Sequence, residues 1–317
     1  MRNQLITIFG GTGFIGRHVV RRLAVQHARI RVVSRDWGVH GRDLQPMGAV
    51  GQIVGGPLDL RSEEALSAAF AGHHAVINLI GILYETRRQQ FEEIHGALPG
   101  RIAHAARAAG VARLVQISAI GADPASGSAY ARSKAAGEQA VRAAFPEAAI
   151  IRPSIVIGPG DDFFNRFAAM ARLLPALPLI GGGETRFQPV YVGDVAAAIV
   201  AALEQEGARG QTFELGGPKV YSFAELMRYM LQVIGRKRLL VPLSFDLARL
   251  QARVLEKLPV PPLTRDQVEL LKSDNVVAAD ARTLHDLGIT PTPIELIVPQ
   301  YLARYRAEPT HGGRFPR

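Results

Sequence analysis

The stretch LITIFGGTGFIGRHVV, residues 5–20, runs from an apolar strand through a glycine turn into an amphipathic helix. Gly10, Gly13 and Gly16 fall in the turn and at the helix opening. Glycines at this spacing permit a tight turn, close approach of the backbone to a pyrophosphate and close helix–strand packing. The helix start, with Phe14 and Ile15 as its first residues, offers unsatisfied N–H groups to the anion. Strand, turn and helix in this order predict the first unit of a dinucleotide-binding domain.

Working outward, short apolar runs alternate with amphipathic stretches: RIRVVS, GQIVG, EEALSAAF, AVINLI, PGRIAHAARAAG, RLVQIS, YARSKAAGEQAVRAAF and AAIIRPSIVIG. The alternation predicts an α/β fold, a Rossmann-type doubly wound parallel sheet whose ligand lies at the carboxyl ends of the strands. Beyond residue 158, Gly, Pro and aromatic residues cluster, and a smaller, mostly helical substrate-side lobe is expected at 159–187 and 217–317. Residues 1–158, completed by about 188–216, form the dinucleotide domain on this reading. The last residues, EPTHGGRFPR, read as a loose basic tail.

The second strand ends in RVVSRD, where a carboxylate would normally meet an NAD ribose. Ser34 and Arg35 stand there instead, and a hydroxyl with a guanidinium suits a 2′-phosphate, so NADP(H) is favoured over NAD(H). A second reading is open, in which Asp36 takes the ribose and Arg35 faces solvent. Asp59 and Leu60 follow the third strand on the adenine side. Asn78, Leu79, Ile80 and Gly81 end the fourth strand beside the expected nicotinamide ribose.

Ser118 closes the fifth strand, and Tyr130 and Lys134 follow on one helix face. A neighbouring ammonium lowers a phenol's pKa, and a positioned serine holds a substrate oxygen for proton transfer. Together the three suit hydride transfer between a nicotinamide and a carbonyl or alcohol. Zero cysteines exclude thiol chemistry and disulfides. The net charge of +9 favours acidic ligands or partner surfaces, but the cations are scattered and lack interleaved aromatics, so no nucleic-acid face is expected. No apolar run is long enough for a spanning helix, and a soluble, cytoplasmic protein is expected.

In order, GGTGFIG, SAYARSK, IIRPSIVIGPGD and FQPVYVGDVAAAI resemble the short-chain dehydrogenase/reductase superfamily in its extended and atypical branches. The resemblance assigns catalytic roles to Ser118, Tyr130 and Lys134, with Lys134 also holding the nicotinamide ribose. It sets Arg152 and Pro153 beside the nicotinamide and makes Asp194 mainly structural. Tyr130 follows Ser118 by only 12 residues, shorter than in sugar-nucleotide epimerases. With PLTRDQVELLKSDNVV and LGITPTPIELIVPQYLARY, this compactness resembles the branch containing the NADPH-binding accessory subunit of respiratory complex I, of the alpha-subcomplex subunit nine type, and its bacterial relatives. That resemblance implies a structurally held NADPH, complex I subunits as partners and a peripheral place on the inner face of the inner membrane. The alternative is a free NADP(H)-dependent oxidoreductase or epimerase-type enzyme acting on a small-molecule carbonyl or alcohol.

Other features carry smaller expectations. His73 and His74 read as a surface turn rather than a metal site, and His95 and His104 as ordinary surface or interface residues. Arg186 and Gln188 are open to a substrate role or to plain loop polarity. Phe163, Phe164 and Phe167 are open to core packing or to a lid over the nicotinamide, the substrate side being favoured because they follow RPSIVIGPG. In SFDLARLQARVLEKL, residues Phe245, Leu247, Leu250, Val254 and Leu258 are expected to pack internally, a docking or membrane-surface face flanked by Arg249, Arg253 and Lys257 being the other reading.

Overall fold

Alternate residues of the first strand serve opposite faces of a sheet. In the computed structural model, which describes residues 1–306, Ile6 and Ile8 join one core and Phe9 another. In chain order the dinucleotide-binding half comprises β1 (Leu5–Phe9), α1 (Phe14–Val25), β2 (Arg29–Val33), α2 (Trp37–Leu44), β3 (Ile53–Gly56), α3 (Glu63–Phe70), β4 (Ala75–Asn78), α4 (Leu98–Ala108), β5 (Arg113–Ile117), α5 (Ala129–Ala144) and β6 (Ala149–Pro153). There follow β7 (Val156–Ile157), α6 (Phe164–Leu173), β8 (Ala176–Ile180), β9 (Arg186–Phe187), β10 (Val190–Tyr191), α7 (Val192–Glu204), β11 (Thr212–Leu215), β12 (Tyr221–Ser222) and α8 (Phe223–Val233). The last elements are β13 (Leu239–Leu243), α9 (Phe245–Leu255), α10 (Arg265–Leu270) and α11 (Ile294–Leu302).

Seven parallel strands pair in the order β11-β6-β5-β4-β1-β2-β3. The chain winds outward from β1 in one direction and from β4 in the other, so a crevice opens where these two strands end. Val19, Val20 and Leu23 of α1 and Val195 and Ile199 of α7 cover one face, and Leu66, Phe70, Leu98, Ile102 and Val141 cover the other. Burial on both faces explains why the strands read as unbroken apolar runs. The single strand expected at AAIIRPSIVIG divides into β6 and β7. Ser154 Oγ and the Ile155 N–H both donate to Asn275 Oδ1 (2.7 and 3.1 Å), which takes the chain off the ladder.

The second core gathers α6, α8 and α11 around Phe164, Leu177, Met227, Met230 and Val298. Phe163, Phe167, Phe187 and Phe223 form an aromatic knot there, with ring centroids 5.4–6.3 Å apart. Phe163, Phe164 and Phe167 thus each find aromatic partners within this lobe, Phe164 buried and the other two half-buried.

Helix α9 also departs from expectation. Only Ala248 and Ala252 are buried, against Ile180 and Val268, while Leu250 and Val254 are 60% and 67% exposed and Leu247 and Leu258 are exposed with them. Two alanines make a shallow seat, and the long apolar side chains, from about a third to half a turn away, are left facing solvent. The segment read as a basic tail lies outside the described residues.

Candidate active site

The glycine turn brings the end of β1 against the end of β4. Gly10 adopts φ +73°, and a Cβ on it would press on the carbonyl of Leu79 at 3.1–3.2 Å. A Cβ on Gly16 would stand 2.2 Å from Gly10 O, so only glycine lets α1 begin so close to the strand. Gly13 caps α1 without a side-chain acceptor, and no acidic residue occupies the first turn. The amides of Phe14, Ile15 and Gly16 thus face the crevice as an anion cradle. Thr12 Oγ1 and Ser34 Oγ, 3.2 Å apart, tie the turn to the end of β2, where Ser34 is half-buried and Arg35 and Asp36 are exposed. Asp59 is exposed and accepts from the Arg61 N–H (2.9 Å), with Leu60 half-buried beside it.

Beyond β4, the buried Asn78 side chain turns inward, donating to Gln116 Oε1 (2.8 Å) and accepting from the Ile80 N–H (3.2 Å). What Leu79, Ile80 and Gly81 offer the crevice is therefore mainly backbone. Pro153 closes β6, and its carbonyl accepts from the Ile120 N–H (3.1 Å). Arg152 is held away from ligand duty: it forks onto Glu138 with two bonds of 2.8 Å and reaches Glu214 at 3.3 Å.

Ser118 Oγ is buried with no hydrogen-bond partner among the described residues. An orphaned hydroxyl at a strand end is what a site awaiting a ligand oxygen presents. On α5, Lys134 is buried, with Nζ 5.6 Å from the centre of the Tyr130 ring. Burial brings Lys134 down to about 8 against the pull of Glu138, and burial with the nearby charge of Asp266 pushes Tyr130 up to about 12. The expected lowering of the phenol by its lysine is thus reversed, because desolvation weighs on both groups. Tyr130 is fixed as an acid at neutral pH, able to give a proton to a developing alkoxide.

Two residues of the site escape the sequence reading. His95 is 2% exposed, not a surface residue, and its ring meets Tyr130 edge-on at 5.1 Å and stacks on Phe91 at 5.4 Å. Asp266, 136 residues from Tyr130, accepts from Ser128 Oγ (2.8 Å), the Ala129 N–H (2.6 Å) and the Tyr130 N–H (3.2 Å) at the start of α5. The His73 ring is likewise buried, 2.6 Å from Thr7 Oγ1, although the pair does sit at a turn. His104 is exposed. Arg186 pairs with Asp274 (2.7 Å), and Gln188 spends its amide on Gly217 O and the Val277 N–H, so both serve the lobe's own structure. Among the described residues no cluster of His, Cys, Asp or Glu could hold a metal ion.

Residues 6–216 match the NAD dependent epimerase/dehydratase family. The chain belongs to that family. Members of known structure share the fold: a dTDP-glucose 4,6-dehydratase from Streptomyces venezuelae, solved with NAD, superposes with a TM-score of 0.73 at 20% identity over 95% of this chain and 96% of that one. The NADH dehydrogenase [ubiquinone] 1 alpha subcomplex subunit 9 of Arabidopsis thaliana mitochondria is 39% identical over 311 residues, 95% of this chain and 77% of that protein. A ceramide reductase of Caulobacter vibrioides is 36% identical over 248 residues, 75% of this chain and 73% of that protein. For an epimerase/dehydratase family member, the free amides of the turn and the orphaned Ser118 fit a nicotinamide dinucleotide.

The buried ammonium has a measurable signature. Between pH 8 and the unfolded value of 10.5, the unfolded chain holds a proton that folded Lys134 has released, so this group makes stability rise with pH across that window. Below pH 8 the buried charge costs up to about 3 kcal/mol. Without cofactor, Lys134→Met should be more stable than wild type near pH 7 by a few kcal/mol at most, with the gap closing toward pH 10 in denaturant titrations. A gap independent of pH would contradict this origin.

Proposed function

We propose that the chain is an NADP(H)-binding accessory subunit of a respiratory NADH:quinone oxidoreductase, with the cofactor held as a structural ligand. The similarity to the mitochondrial subunit over 95% of the chain carries the reading. The geometry supports it twice. The second lobe grips the start of the catalytic helix through Asp266, and α9 turns an apolar stripe outward with no partner inside the described chain. A ligand that binds only the folded form stabilises it by about 2.7 kcal/mol at a hundredfold excess over its Kd, without turnover.

In this reading the amides of Phe14, Ile15 and Gly16 hold the pyrophosphate, and Ser34 with Arg35 the 2′-phosphate. Asp59 and Leu60 border the adenine, the backbone from Asn78 to Gly81 and Pro153 border the nicotinamide side, and Tyr130 and Lys134 take the nicotinamide ribose. Association with the membrane-bound complex is peripheral: no helix among the described residues is long and apolar enough to cross a membrane.

A second reading rests on the intact serine, tyrosine and lysine and on the similarity to a ceramide reductase. NADPH, when bound, supplies a hydride. Ser118 would hold a carbonyl oxygen, Tyr130 would give that oxygen its proton as the carbon is reduced, and Lys134 would steady the resulting phenolate.

Two experiments test the proposal. Arg35→Ala should weaken NADPH binding about tenfold or more while leaving NADH within about twofold, as expected for one charge-assisted phosphate contact. Equal loss for both cofactors would refute the phosphate clamp. Chain carrying Leu250→Asp and Val254→Asp, two exposed positions, should fold normally yet fail to recover respiratory-complex subunits from native membranes in mild detergent. Failure of the wild-type chain to recover any would contradict the accessory role.

A further inference from the structure

The ring of His95 joins three elements that converge on the cofactor side of the site. Residues Glu92–Ala97 form a π-helical turn, a local widening that places His95 inward between the end of β4 and α5. Its Nε2 accepts from the Ile82 N–H at 3.0 Å, and its Nδ1 lies 3.1 Å from Ser133 Oγ. The Ser133 hydroxyl donates to the Tyr130 carbonyl at 2.8 Å, so its oxygen is left to accept. Nδ1 therefore carries the proton, and the neutral ring satisfies both neighbours at once. A protonated ring would lose the Ile82 bond.

The surroundings are equally tight. A Cβ on Gly81 would lie 3.6 Å from His95 Nε2 and 3.4 Å from Lys134 Nζ, so the loop backbone lies next to both groups. A Cβ on Gly137 would stand 1.9 Å from the His95 carbonyl oxygen, which means that α5 meets the π turn backbone to backbone. Phe91 covers the ring's face and Tyr130 its edge.

We propose that His95 is a positioning residue, a neutral clamp that fixes the 79–82 loop against the Tyr130–Lys134 helix and so sets where a nicotinamide lies between them. The clamp rests on the dinucleotide reading of the crevice. It acts on the nicotinamide half of the ligand and leaves the adenine half, held at the ends of β1 and β2, untouched.

Equilibrium binding of NADPH and of 2′,5′-ADP, which lacks the nicotinamide half, to the full chain separates these effects. His95→Phe keeps the stacking and removes both hydrogen bonds. It should weaken NADPH about tenfold, with 2′,5′-ADP unchanged within about twofold. His95→Gln, whose amide oxygen can accept from Ile82, should recover part of that loss. Should His95→Phe fail to fold, which lost 2′,5′-ADP binding would reveal, Ser133→Ala removes the link to Tyr130 alone and should shift NADPH in the same direction by less. Equal weakening of both ligands by Ser133→Ala and His95→Gln, or no weakening of NADPH by any variant, overturns the clamp. Wild-type chain that binds neither ligand overturns the dinucleotide reading and the clamp with it.

Discussion

The Asp266 carboxylate, accepting three hydrogen bonds at the start of α5, fixes where the helix carrying Tyr130 and Lys134 begins. A negative charge is favourable at a helix N-terminus, where the backbone amides are unsatisfied. Here the charge comes from the second lobe. Thr264 and Gln267 close a capping box on α10, and Arg265 reaches back to Glu256 at the end of α9 (2.9 Å). Contacts thus run from α9 through α10 to the start of α5. The same carboxylate helps keep the phenol protonated, so the contact that orders the site also biases its chemistry.

Several features of the crevice cost stability in the free chain: an ammonium with its pKa brought down by burial, a buried hydroxyl without a partner and a helix start without a side-chain cap. On the proposed reading, each would be satisfied by a ligand that brings ribose hydroxyls, an oxygen and a pyrophosphate. Features that break local rules together in one cleft mark a site shaped for a ligand.

The sheet was legible because its signals are local. Glycine spacing, unbroken apolar runs and intervening amphipathic stretches each report on neighbours a few residues apart, and they fix the strand sequence through β6. Tyr130 and Lys134 were legible for the same reason, being one helical turn apart. His95 was not. Its position on a helix predicted a surface ring, and nothing in FEEIHGA announces the π turn that rotates it inward, although Phe91 four residues earlier is the ring it stacks on. Asp266 was out of reach because its partners are 136–138 residues away. For α9 the amphipathic pattern was right, but periodicity shows only that a face is apolar and not what covers it. Arg152 illustrates the reverse case, a guanidinium placed beside the nicotinamide by resemblance but engaged by Glu138 and Glu214.

The central claim, a nicotinamide cofactor held rather than turned over, is tested most directly on the purified chain. Bound nucleotide would be identified by native mass spectrometry and followed by NADPH fluorescence during incubation with a broad panel of carbonyl compounds. A structurally held cofactor gives one NADPH per chain that stays bound and reduced, with wild type no faster than Tyr130→Phe. NADPH oxidation by wild type well above the Tyr130→Phe rate would contradict it and make the chain a working reductase.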